Sequence, residues 1–219
     1  MLERYLHRLS VQDAGEEDPA ATRERLKDRF ARGATRRMTQ LGLLVGIALD
    51  EMSLRPDDTI VYASSYAETR ALEAYLESFP SASPTLFQTS IHPSAVQQVL
   101  IGRQHPVGEF FPLTGRAHLI AQALQTAMLA PAPRVIVCGG EERGTWLLAQ
   151  NAASDRSFAF ALALDQNPTD ALGRLSLAVD NSADAAANFG LVDFLEAVTV
   201  RRSIDCVAAP GLRLTLSWL

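Results

Sequence analysis

The chain has 219 residues, 47% hydrophobic and 21% charged, with a formal charge of −5 at pH 7. That balance fits a globular protein with one large core, and the acidic surplus argues against nucleic acid or an anionic membrane as partner. Two cysteines (Cys138, Cys206) and four scattered histidines (His7, His92, His105, His118) show no metal or redox spacing, so neither a metal nor a cofactor is expected.

The amino terminus, MLERYLHRLSVQD, is too polar for a signal peptide, and the longest apolar run, 41–49, is about half a membrane span. A cytoplasmic protein is therefore expected. Residues 1–34 are the most charged stretch and read as a helical arm or clasp, with Leu26 and Phe30 as an i,i+4 apolar pair. Residues 35–219 read as one domain. Its first helix, 36–52, is apolar almost all round, the mark of burial on more than one side. Residues 59–65 follow as a short strand. The helix 67–79 carries Leu72, Tyr75, Leu76 and Phe79 on one face, and a PSASPT loop ends it.

A helix over 92–103 has Pro93 in its first turn, where proline is tolerated, with Ser90 or His92 expected to cap it. EFFPLTG (109–115) is strand-like and runs into the helix 117–129. A strand at 134–138 ends in the paired glycines of CGGEE. Strands at 157–165 and 173–180 read as an antiparallel hairpin, followed by a helix over 184–198 and a final strand at 212–219. Strands and helices in alternation, then a late hairpin, predict an α/β domain with a mixed sheet.

The pieces RRM (36–38), SPTLFQTSIHPSAVQQVLIG (83–102), AHLIAQA (117–123) and VIVCGGEE (135–142) occur in a characteristic order. Across residues 35–165 this order resembles the amino-terminal half of β-ketoacyl synthases. It is similar above all to short ketosynthase-like proteins such as the chain length factors of aryl polyene clusters. The resemblance implies a single thiolase-like half, with a five-stranded type of mixed sheet and buried central helices. In that family a nucleophilic cysteine occupies the sharp turn from a strand into a buried helix, where helix-end amides lower its pKa and hold an oxyanion. Here the equivalent position falls on Leu113 or Thr114, depending on whether it is aligned from the helix or from the strand. Neither is a cysteine. No histidine follows His118 and no second half is present in these 219 residues, so condensation by this chain alone is not expected.

The resemblance also implies a partner. The family pairs the strand before the turn across a dimer interface, which here is 109–113, with Glu109, Phe110, Phe111 and Pro112 at the contact. An apolar edge strand left open invites aggregation. The expected role is a non-catalytic, chain-length-factor-like subunit beside an active β-ketoacyl synthase in fatty acid or polyketide synthesis of the aryl polyene type. It would meet the acyl carrier protein only indirectly. Phe87, Ile91, Phe111, Leu113 and Thr114 would line the acyl tunnel.

Two other roles remain open: a small acyltransferase or thioesterase using Ser90, Thr114 or His118, and a homodimeric binding protein for acyl groups or carrier proteins. Against the first, a Ser-x-His tripeptide does not by itself set the imidazole on the hydroxyl. Glu141 and Glu142 after the glycines argue against a phosphate-binding turn. Asp165 and Asp180 read as turn formers, and Arg36 and Arg37 as salt-bridging residues ahead of a contact with a carrier protein's phosphopantetheine.

Overall fold

The computed structural model describes residues 1–31, 33–180 and 189–219. Its first element corrects the view of residues 1–34 as a helical arm. Leu2–Gly15 is a long strand, β1, lying inside the sheet between two antiparallel partners. Its inward apolar residues are Leu2 and Leu6, then Leu9 and Val11, so the alternation changes phase between them. The cause is a register shift between Leu6 and Arg8, a bulge that adds one residue to the strand. Pro19–Leu26 is α1, begun by Asp18, whose carboxylate accepts from the Ala20 amide.

Gln40–Met52 is α2, the expected all-apolar helix, with the Thr39 hydroxyl accepting from the Gly42 amide at 3.0 Å. One side of it packs on the sheet. Leu26, Phe30 and Val99 cover other parts, and Phe30 lies so close to Gly46 that a Cβ there would fall 2.8 Å from the ring. The segment after β1 thus closes over α2 as a clasp.

The remaining strands are β2 (Thr59–Ser64), β3 (Glu109–Thr114), β4 (Arg134–Glu141), β5 (Ser157–Asp165), β6 (Gly173–Val179), β7 (Ile204–Ala209) and β8 (Leu212–Trp218). Among the described residues, they and β1 form one mixed sheet of eight strands in the order β3-β2-β4-β5-β1-β6-β8-β7. The α/β class holds, while the five-stranded expectation is too small. β2 pairs in parallel with β3 and β4, and the remaining pairs are antiparallel. The predicted hairpin of β5 with β6 does not form. β1 enters between them and pairs with both, which satisfies its backbone on two sides.

The other helices are α3 (Thr69–Glu77), α4 (Pro84–Ser90), α5 (Ser94–Gly102), α6 (Leu119–Leu129), α7 (Trp146–Ala149) and α8 (Leu191–Thr199). Of the helix expected over 184–198, residues 184–188 lie outside the described residues. The sheet separates two cores. On one face α2 and α5 bury Ile60, Tyr62, Ile136 and Cys138; on the other α6 and α8 bury Val61, Val137, Phe160 and Leu162. The carboxyl-terminal strands and α8 supply much of the cover over α6, with the Phe160 and Phe194 rings edge-on at 5.6 Å.

Candidate functional site

β3 is an edge strand. Its inner side pairs with β2 in the register Thr59–Glu109 to Ser64–Thr114, and no strand among the described residues pairs with its outer side. Phe110 packs toward the α2 core while Leu113, on the opposite face, packs toward the α6 core. Glu109, Phe111, Pro112 and Thr114 are exposed. Pro112 has no N–H to offer a ladder, a loss that an edge strand tolerates.

The turn from β3 into α6 runs through Gly115 and His118, both at positive φ (151° and 58°). Leu113 and Thr114 lie at the strand end before this turn, and the residue directly ahead of α6 is His118. Its Nδ1 lies 3.3 Å from the Ala208 carbonyl, which ties the turn to β7. Arg116 lies over the Tyr66 ring at 5.7 Å. The turn from Leu113 to His118 holds no thiol. Cys138 sits inside β4 on the opposite face of the sheet, and burial holds its thiol far above its ordinary range. Such a thiol is a packing group and not a nucleophile.

The residues expected to form a tunnel wall divide between places. Phe87 lies on α4, a helix not anticipated from the sequence: Ser83 caps it and Pro84 occupies its first turn. The Phe87 ring packs on Tyr75 at 5.4 Å, and Tyr75 packs on Phe79 at 5.4 Å. The apolar face expected for α3 is not its most buried one: Leu76 and Phe79 are exposed, and Thr69, Ala71 and Glu73 are buried instead. Ile91 lines a groove of about 780 Å³ between α4, α5 and the 34–38 turn, with Met38, Gln98 and Ile101. Phe111 and Leu113 belong to the β3 edge. Ser90 donates to the Phe87 carbonyl at 2.9 Å, and the His92 ring stacks on Tyr62 at 5.0 Å, so the two form no Ser–His pair.

Gly139 and Gly140 lie within β4 and make no turn. A Cβ would fall 2.3 Å from the Ala63 carbonyl oxygen at one and 2.2 Å from that of Phe158 at the other, so glycine permits close strand approach. The glutamates that follow are structural acceptors. Glu141 takes the Ser64 hydroxyl and the Ser65 and Tyr66 amides; Glu142 takes the Gln40 and Arg70 amides. Two more were missed from sequence. Glu68 accepts from the Ala95 amide at the start of α5, replacing the cap expected from Ser90 or His92. Glu73 accepts from Thr145 and Leu147 at the start of α7. Burial raises Glu141 and Glu142 to about 7 and Glu68 to about 8.

Asp165 accepts from the Asn167 amide, as a turn former does. Arg36 and Arg37 do not salt-bridge as expected: neither has a carboxylate partner among the described residues. With Arg23 and Arg70 they line a second groove, of about 290 Å³, that shares Arg37, Met38, Thr85 and Thr89 with the first. Among the described residues no cluster of metal-ligating groups occurs, and no helix is long and apolar enough to cross a membrane.

No family model matches the sequence, and none of the curated proteins matches it. Solved structures do. A chain of the ketosynthase ApeO in complex with its chain length factor ApeC, from Xenorhabdus doucetiae, superposes with a TM-score of 0.70 at 18% identity. The match covers 99% of this chain and 100% of that one. The ishigamide ketosynthase/chain length factor gives 0.58 at 13% identity, covering 92% of this chain and 73% of that chain. A beta-ketoacyl synthase from Burkholderia phymatum gives 0.55 at 14%, covering 85% and 66%. The chain shares its fold with these ketosynthase and ketosynthase/chain length factor structures.

Proposed function

We propose that this chain is a non-catalytic, chain-length-factor-like subunit that docks its β3 edge on an active β-ketoacyl synthase. The observation that carries the reading is the open edge of β3, with Phe111 exposed, leading into a turn without a thiol. An apolar edge of this kind is a template for another strand. Phe111, Leu113 and Thr114 then bound the acyl chain at the joint, and Phe87 and Ile91 join the wall through a partner surface spanning β3 and α4. The partner contributes the cysteine and the decarboxylating groups, in fatty acid or polyketide synthesis of the aryl polyene type. The carrier protein serves that cysteine and meets this chain only indirectly.

The test is reconstitution with acyl and malonyl carrier-protein thioesters and a β-ketoacyl synthase encoded beside this chain. Condensation that requires the synthase, with product length changed by Phe111→Ala or Leu113→Ala, supports the reading. Condensation by this chain alone overturns it, as does a synthase whose products are indifferent to the chain.

A further inference from the structure

At the end of the sheet away from the β3–α6 turn, His7, Arg8, Ser53, Arg55 and Arg134 surround a cavity of about 280 Å³. We propose that this cavity binds a small dianion of the phosphate class. The bulge in β1 is the first support. In a regular strand neighbouring side chains point to opposite faces, but the shift between Leu6 and Arg8 turns both His7 and Arg8 toward this cavity.

The end of α2 fixes two of the guanidinium groups. Ser53 closes the helix in the left-handed conformation (φ 51°). Arg8 donates to the Glu51 carbonyl at 3.1 Å and to Ser53 Oγ at 2.7 Å. Arg134 donates to the Met52 and Ser53 carbonyls and to Asp58 Oδ2. Capping of the helix end accounts for these two arginines. It leaves Arg55 unexplained, because that guanidinium has no hydrogen bond or ion pair among the described residues.

Charge gives the sign of the ligand. Arg8, Arg55 and Arg134 line the cavity together with Asp165, and Asp58 lies against Arg134. Asp58 is already engaged by Arg134 and by the Arg55 amide. Burial acts most strongly against the charge on Arg134; Asp58 supports that charge, and repulsion from Arg55 and Arg8 opposes it. A doubly charged anion relieves that surplus, and forked guanidinium donors fit tetrahedral oxyanions. The volume lies at or below the roughly 300 Å³ floor of ordinary ligand pockets, which suits phosphate or a small phosphomonoester.

Calorimetric titration of the full chain with inorganic phosphate, and separately with glycerol 3-phosphate, at ionic strength fixed with sodium chloride, tests this. Saturable binding at one site is expected, weakened about tenfold or more by Arg55→Gln and less by Arg55→Lys. The Arg55 guanidinium makes no hydrogen bond or ion pair among the described residues, so the variant is expected to fold, and an unchanged unfolding midpoint without ligand verifies that. Tighter binding of the ester identifies an organic phosphate as the ligand; equal binding identifies inorganic phosphate. Absence of saturation with both, or saturation unaltered by Arg55→Gln, overturns the proposal.

Discussion

Phe111 stands opposite Val61 in the register of β3 on β2, yet Val61 is fully buried and Phe111 is 37% exposed. The two differ in what lies beyond them: among the described residues, Val61 has a strand on both sides, whereas Phe111 has one only on its β2 side. Phe111→Asp is therefore expected to cost the isolated chain about 1–2 kcal/mol, from the buried part of the ring and the poor strand propensity of aspartate, without unfolding it. Urea unfolding of both forms measures this.

Gly140→Ala should cost about 3 kcal/mol or more, because the new methyl meets the Phe158 carbonyl and no flexible side chain can yield there. Gly102→Ala, with open space around it, is the control and should be close to neutral or stabilising. Their unfolding midpoints in denaturant provide the comparison.

Stability should fall as pH rises. Glu68, Glu141 and Glu142 ionise near 4.5 when exposed, but are held at about 8, 7 and 7 in the fold. Between those values the folded chain retains protons that the unfolded chain has lost. Each retained proton makes stability decline by about 1.4 kcal/mol per pH unit until pH passes the folded value. The unfolding midpoint should be higher at pH 5.5 than at pH 8.5, and Glu68→Gln should flatten the slope. A midpoint rising with pH would contradict this assignment.

Cys138 should resist alkylation in the native chain and react only on unfolding, since it is fully buried in β4. Mass spectrometry after a timed iodoacetamide pulse, native against denatured, checks it.

The all-apolar helix α2, the strands β2 and β4, and the β3-to-α6 order were legible because length and apolar pattern are local properties. β1 was not, because its bulge at His7 breaks the alternation into two short phases. The false hairpin of β5 with β6 has a different origin: a short link suggested pairing, but partner choice is non-local and β1 intervenes. α4 carried a start signal in Ser83 and Pro84, but its seven residues and the neighbouring prolines read as loop. At the site, the sequence expectation of a nucleophile position at Leu113 or Thr114 points to two residues that stand at the end of β3. The left-handed His118 ahead of α6 depended on geometry that spacing alone does not carry.

Co-expression with a β-ketoacyl synthase from the same gene cluster, followed by size-exclusion chromatography with light scattering, tests the subunit reading most directly. A stable one-to-one complex that Phe111→Asp dissolves while leaving the chain folded is expected. A chain that ignores the synthase, or that pairs only with itself, would contradict that reading.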